Sequence, residues 1–469
     1  MAHRSLTRNR IATLALAGAL GTFAACGGRI APPISVDAGA AAGPEIPVVI
    51  APTVLRQRWT PYVIPETQAE PVLFEAQVSG KTSAATLTID GKVYPLRDDG
   101  AGGDLAADDG IWTVQLPAAT VLAKNKPEWV NRPYVGALRV AGADGTYNVF
   151  AEVWTAAIGS ARLYPVDLGQ ETDYVVSYLA RADQLTSLDP AFWAKRFYTT
   201  HPDQFDFLNI VLVDGARDNR HHGTVRNAVS GIGAQRMDAG ATFGSATRLM
   251  GYNVFPLSAF FDHGGVGFLH ETGHQWINYL PMAPLAGGTP HWPKGSVAIN
   301  VMGFSIPPNA QGGQYPYSFA PDSKGGYVVG EQNPEDLTTF NMLELYLMGL
   351  ASAAEVPEYF ALKDQAMDLR AGQVLGAADI VPVRVADIVA AAGPRLPDAA
   401  SSQKQFRSAT IILSERPLDG YAMALYDYFA RRGEARTELD CSAGMVAGMR
   451  CKPWYLATGG RSTMSTRIR

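Results

Sequence analysis

The sequence predicts a multidomain chain, with an N-terminal all-β sandwich followed by an α/β (α+β) domain built around one metal-binding helix. Three observations carry this expectation. Residues 47–156 hold short, often alternating stretches (VLFEAQVSG, AATLTID, IWTVQLP, YNVFAEVWT) separated by Ser-Gly and Asp-Gly turns. Residues 207–215, FLNIVLVDG, are a continuous apolar run, as a strand covered on both faces requires. Residues 266–280, VGFLHETGHQWINYL, carry His270, Glu271 and His274 in the order H-E-x-x-H.

The chain has 469 residues, 47% of them hydrophobic and 18% charged, which suits folded domains with ample core. Net charge is −5 and no basic block appears, so nucleic-acid binding has no electrostatic footprint. No P-loop, dinucleotide fingerprint or G-x-S-x-G elbow is present.

Residues 1–26 read as an export signal. Arg4, Arg8 and Arg10 precede the apolar stretch 11–25, which is too short for a good spanning helix. The end, Phe23-Ala24-Ala25-Cys26, resembles a bacterial lipobox, with Phe23 where an aliphatic residue is usual. That resemblance implies lipidation of Cys26 and an envelope protein held to a membrane only by its anchor; plain cleavage would leave it periplasmic or secreted. Residues 27–46, rich in Ala, Gly and Pro, read as a flexible tether.

The segment 47–156 is similar to the immunoglobulin-like modules placed before catalytic domains in secreted bacterial proteins. Within it, Asp98, Asp99, Asp104, Asp108 and Asp109 cluster among glycines. Oxygen-rich loops of this kind suit Ca2+, although the spacing is not that of an EF-hand and Asp-Gly pairs also serve tight turns.

Residues 157–469 form the expected second domain. Asp189 and Pro190 mark a helix start at 189–201. RHHGTVRNAVSGIG, 220–233, reads as a loop in which His222 is either near a metal or in a local hydrogen bond. NVFPLSAFF, 253–261, reads as an edge strand lining a cleft. Trp276 reads as core. Residues 334–350 form a second helix, nearly all apolar except Glu344. QFRSATIILSE reads as a strand and GYAMALYDYFARRGEA as a helix, both scaffold. Cys441 and Cys451 suggest one local disulfide, with two free thiols as the alternative.

On a helix, His270 and His274 lie one turn apart on one face and can offer two imidazoles to one ion. Glu271 then lies beside that ion's water as a general base. Here the chain resembles the zincin metallopeptidases, with one catalytic Zn2+ and protein or peptide substrates. The arrangement with a later carboxylate is gluzincin-like. HExxH together with LELYLMGL is also similar to a group of secreted bacterial lipoproteins. The third ligand stays open. Glu344, 70 residues after His274, is the first choice, because an apolar helix gives it no other evident partner. His291, 17 residues after His274, is the alternative and Glu331 a weaker one. His222, His291 and Tyr346 are candidate oxyanion donors. Two rival readings exist. One is a non-catalytic binding or adhesion lipoprotein with a structural or degenerate zinc site, and the other a zinc amidase acting on cell-wall material.

Overall fold

Alternating apolar residues between 53 and 150 sort themselves onto two facing sheets. β1 (Thr53–Thr60), β3 (Val72–Ser79) and β6 (Ile111–Leu116) form one. β4 (Ala85–Ile89), β5 (Lys92–Pro95), β7 (Tyr134–Val140) and β8 (Tyr147–Phe150) form the other, in the order β5-β4-β7-β8. Their inner faces share one core that includes Trp59, Phe74, Leu87 and Leu138. A short helix, α1 (Ala118–Leu122), follows β6. This computed structural model describes residues 51–122, 134–154, 159–213, 220–256, 266–286, 291–303, 317–331, 338–437, 439–440 and 450–469. The expected signal, tether and Cys26 lie outside the described residues. Cys441 does too, and with it the expected pairing to Cys451.

β2 (Val63–Pro65) pairs in parallel with β9 (Glu152–Trp154) and leads into the larger body. There β10 (Tyr164–Val166), β11 (Gly169–Glu171), β12 (Val175–Leu179), β13 (Phe207–Leu212), β14 (His221–Thr224), β17 (Gly251–Pro256) and β23 (Gln405–Ser414) build the main sheet. Its order is β10-β11-β12-β23-β13-β17-β14, with β26 (Thr463–Ser465) extending alongside β23. The four inner strands are parallel, and every residue of β13 is buried. β13 is apolar because both its faces are covered.

Helices supply that cover. α2 (Ala182–Thr186) and α3 (Pro190–Tyr198) come first, and Asp189 caps α3 by accepting from the N–H groups of Ala191 and Phe192. Trp193 and Phe197 of α3 pack with Leu208, Ile210 and Leu212 on one face. On the other face lie α4 (Val266–Gly273), which carries His270 and Glu271, and α7 (Gly420–Arg432). α5 (Met342–Met348), α6 (Val385–Ala392) and α8 (Trp454–Ala457) complete the helices of the described residues. Short antiparallel pairs decorate this body: β15 and β16 (Arg226–Asn227, Met237–Asp238), β20 and β22 (Tyr359–Leu362, Ile380–Val383), and β24 and β25 (Leu439–Asp440, Arg450–Cys451). β18, β19 and β21 (Tyr317–Pro321, Tyr327–Glu331, Val374–Leu375) form a three-stranded sheet. Strand outweighs helix, in several separate sheets.

Three expectations need correction. The stretch around His222 is not a loop: His221–Thr224 is the edge strand β14. The strand at 251–256 is consequently interior, hydrogen-bonded to β13 and β14 on its two sides. Periodicity could not show this, because a short polar strand such as His-His-Gly-Thr acquires its partner only in the sheet. The second predicted helix is also shorter than its apolar run, starting at Met342 behind the N-cap Asn341.

The β domain docks through a charged seam. Arg58 and Glu75 are cross-strand partners in β1 and β3, joined by two hydrogen bonds of 2.8 and 2.9 Å. Arg416 adds a contact to Glu75 at 3.2 Å, and Glu415 accepts from Arg58 at 3.0 Å and from Arg56. Beside this seam, Val63 packs into the apolar face of α7. Burial pushes the Glu75 carboxyl up, but Arg58 and Arg416 outweigh it and hold the group below the usual carboxylate range. A depressed folded pKa contributes stability above the unfolded value, and that stability is lost as pH falls through the folded one. We expect Arg58→Ala to cost about 1.5–3 kcal/mol in urea unfolding at neutral pH, since the buried Glu75 carboxylate loses two charge-assisted hydrogen bonds and keeps Arg416 as its charged partner. The difference between variant and parent should shrink as pH falls through the depressed pKa of Glu75 in the parent, where the carboxyl becomes protonated in both.

Candidate metal centre

α4 lies against β17 and β14 and ends at Gly273. His270 is therefore in its last turn, and His274 follows directly, its N–H within reach of the His270 and Glu271 carbonyls at 3.3 and 3.2 Å. Gly273 is needed for close approach: a Cβ there would come within 2.5 Å of Met302 Sδ and 3.1 Å of Phe340 Cε1. The neighbouring Val301 gives the first ligand its tautomer. His270 Nδ1 donates to the Val301 carbonyl at 2.7 Å, so its Nε2 carries the lone pair.

Two further rings converge on that atom. His274 Nε2 lies 3.2 Å and His291 Nε2 3.0 Å from His270 Nε2. One nitrogen from each of the three lies within 4.8 Å of the others. A single lone pair can accept one N–H, so His270 Nε2 can hydrogen-bond to only one of the two rings that face it. A shared cation satisfies all three. Imidazoles bound to one tetrahedral zinc at about 2.0–2.1 Å have nitrogens about 3.3 Å apart, close to the observed separations.

Protonation agrees with that use. Burial, then the neighbouring His274, Arg220 and His291, hold the His270 pKa well below its ordinary value. Burial and the neighbouring rings do the same for His274. Burial, with Arg220, lowers His291 to about 4. All three are thus neutral at pH 7, the form that binds a metal. Glu271 is 4% exposed, and its Oε1 meets Arg220 Nε at 3.1 Å.

Glu344, the first-choice ligand of the sequence reading, is not among the converging groups. It is fully buried, but its partners are protein hydrogen-bond donors. Trp292 Nε1 donates to Oε1 at 2.9 Å, and the Asn341 N–H donates to Oε2 at 2.8 Å. Asn341 Oδ1 accepts from the Glu344 N–H in return, closing a capping box at the start of α5. Burial raises its pKa to about 8 against these donors. A buried carboxylate needs partners, and here a helix N-terminus and an indole N–H supply them. Through Trp292, Glu344 fixes the backbone next to His291 and so positions a ligand without being one. Glu331 ends β19 at the surface, and the Tyr346 hydroxyl accepts from the Arg395 N–H. Neither belongs to the group of converging rings.

His222 is not in that group either. Its Nδ1 lies 2.9 Å from Asn253 Oδ1 and its Nε2 3.1 Å from Gln275 Oε1. Gln275 Nε2 donates to the Arg226 carbonyl, so Oε1 must face His222, and His222 Nε2 carries a proton. Burial lowers the ring's pKa to about 4, so it is neutral at pH 7. Asn253 Nδ2 in turn donates to Asn209 Oδ1 at 2.9 Å and to the Thr272 hydroxyl oxygen at 3.0 Å. Thr272 and Gln275 flank the ligands, so this network ties the H-E-x-x-H segment to the sheet edge. Gly251 makes room, since a Cβ there would lie 2.4 Å from His222 Cε1. Trp276 is core, edge-on to Phe207. Arg220, Asn253 and Thr272 were missed from sequence because none belongs to a spaced motif. A second acidic group, Asp98, Asp104 and Asp109, gathers in the β domain.

We expect Glu344→Gln to bind metal stoichiometrically yet unfold more easily by about 1–3 kcal/mol, because one buried donor loses its acceptor. His291→Ala should show the reverse: little change in metal-free stability and loss of bound metal, read by elemental analysis after dialysis.

Comparison with protein-family models, with curated proteins and with solved structures gives no match to this chain.

Proposed function

We propose that this chain is a zinc-dependent metallopeptidase of the zincin type, with His270, His274 and His291 as ligands and Glu271 as general base. One observation carries the reading: three neutral imidazole nitrogens face one another, next to a buried carboxylate that begins no other metal group. With it go an immunoglobulin-like reading of the N-terminal β domain, a zincin-like reading of the larger body, and export with an anchor at Cys26. Among the described residues no helix is long and apolar enough to cross a membrane.

Bound zinc in such a set supplies Lewis acidity and acidifies a coordinated water toward neutrality. The chain's own residues account for the rest. The Val301 carbonyl holds His270 in the tautomer that presents Nε2. Glu271 is the group placed to take a proton from water and return it to a leaving amine. Arg220 orients that carboxylate and would be the cation nearest to negative charge developing on a cleaved carbonyl. His270 and Glu271 are buried, which strengthens these interactions.

Purified protein should carry one zinc per chain and digest casein, with activity lost to a chelator and restored by zinc. Glu271→Gln should lower kcat by about 10^2–10^4 with zinc retained. Arg220→Ala should lower kcat less, without releasing zinc. Zinc-replete protein that cleaves no peptide, or full activity in Glu271→Gln, would instead favour a binding protein with a structural site. Cleavage of cell-wall amides alone would point to an amidase.

A further inference from the structure

We propose that the loop joining β5 to β6 in the N-terminal domain binds one Ca2+ ion through Asp98, Asp104 and Asp109, independently of the histidine site. One carboxylate oxygen from each lies within 4.8 Å of the others. Asp104 is the telling member. It is only 6% exposed, and its Oδ1 is shut off from solvent without a hydrogen-bond partner. Its Oδ2 accepts from the Gly100 N–H at 2.6 Å, which fixes the carboxylate in place. Asp98 accepts from the Asp109 and Gly110 N–H groups at 3.1 and 3.2 Å, and Asp109 Oδ1 accepts from the Ile111 N–H at 2.9 Å. Among the described residues none of the three is in an ion pair; Arg97, next to Asp98, turns to Asp99 at 3.6 Å.

A carboxylate oxygen buried without a donor, beside two more carboxylates, is unfavourable unless a cation joins them. The donor set is all oxygen, which selects a hard ion and disfavours zinc or copper. Calcium takes oxygens at 2.3–2.6 Å, so ligands on opposite sides of the ion are about 4.8 Å apart. Magnesium demands a tighter, near-ideal octahedron, which a loop with two of its acids in part exposed does not impose. The loop crosses from the four-stranded sheet to the three-stranded one and rests on β3, where a Cβ at Gly103 would lie 2.7 Å from Leu73 Cδ1. An ion here would fasten the two sheets to each other.

The test uses the full chain, stripped with EDTA and then titrated with CaCl2 or MgCl2 by calorimetry, with Tm read in parallel. The expected result is saturable binding of one Ca2+ and a Tm rise in calcium that magnesium does not reproduce at about 10 mM. Asp104→Asn should be at least as stable as the parent in EDTA, because a buried unpaired charge is gone, and should lose the calcium-dependent rise. Asp109→Asn, on the exposed side, should weaken calcium binding at least tenfold without disturbing the core. No heat and no Tm shift up to about 10 mM calcium would overturn the proposal, as would an undiminished response in both variants. An equal response to magnesium would overturn the assignment to calcium.

Discussion

The cluster of three histidines depends on one hydrogen bond, from His270 Nδ1 to the Val301 carbonyl. It decides which nitrogen of a buried ring is the lone pair, and the other two rings are arranged around that atom. Much of the surrounding packing keeps it in place. Gly273 lets Met302 approach the end of α4, which brings Val301 under His270. The Val301 N–H is tied in turn to the Thr339 carbonyl, just before α5. Val301 and Met302 therefore support the His270 ring.

α5 serves the same centre from its two ends. At its start, Glu344 closes the capping box and holds Trp292, the neighbour of His291. At its finish, the Arg395 guanidinium donates to the Leu347 and Met348 carbonyls, and Lys404 donates to that of Gly349. Cations at a helix C-terminus suit the helix dipole. Burial lowers the Arg395 pKa to about 10, which leaves it charged at neutral pH. The helix is buried almost throughout, so these charges also satisfy carbonyls that water cannot reach.

The polar network under α4 has a different character. His222, Asn253, Thr272, Gln275 and Asn209 form one chain of side-chain hydrogen bonds. Buried networks of this kind are costly when any member is unsatisfied, so they specify one arrangement. Here the arrangement sets the distance between the H-E-x-x-H segment and the edge strand β14.

The sequence by itself determined the elements whose signals are local. The H-E-x-x-H spacing put two imidazoles on one helix face, the 207–215 run foretold a buried strand, Asp189-Pro190 marked a helix start, and the five aspartates marked a loop of concentrated charge. Each depends on residues within a few positions of one another, where periodicity and capping act. The tertiary structure alone decided what partner each long-range group meets. It brought His291 to the two rings and gave Glu344 an indole and a helix end. It turned His221–Thr224 into the sheet's edge and set Arg220 against Glu271. Those outcomes depend on which surfaces pack together across tens of residues, and hydrogen-bond donors from the backbone, which satisfied Glu344, leave no mark in the order of the side chains.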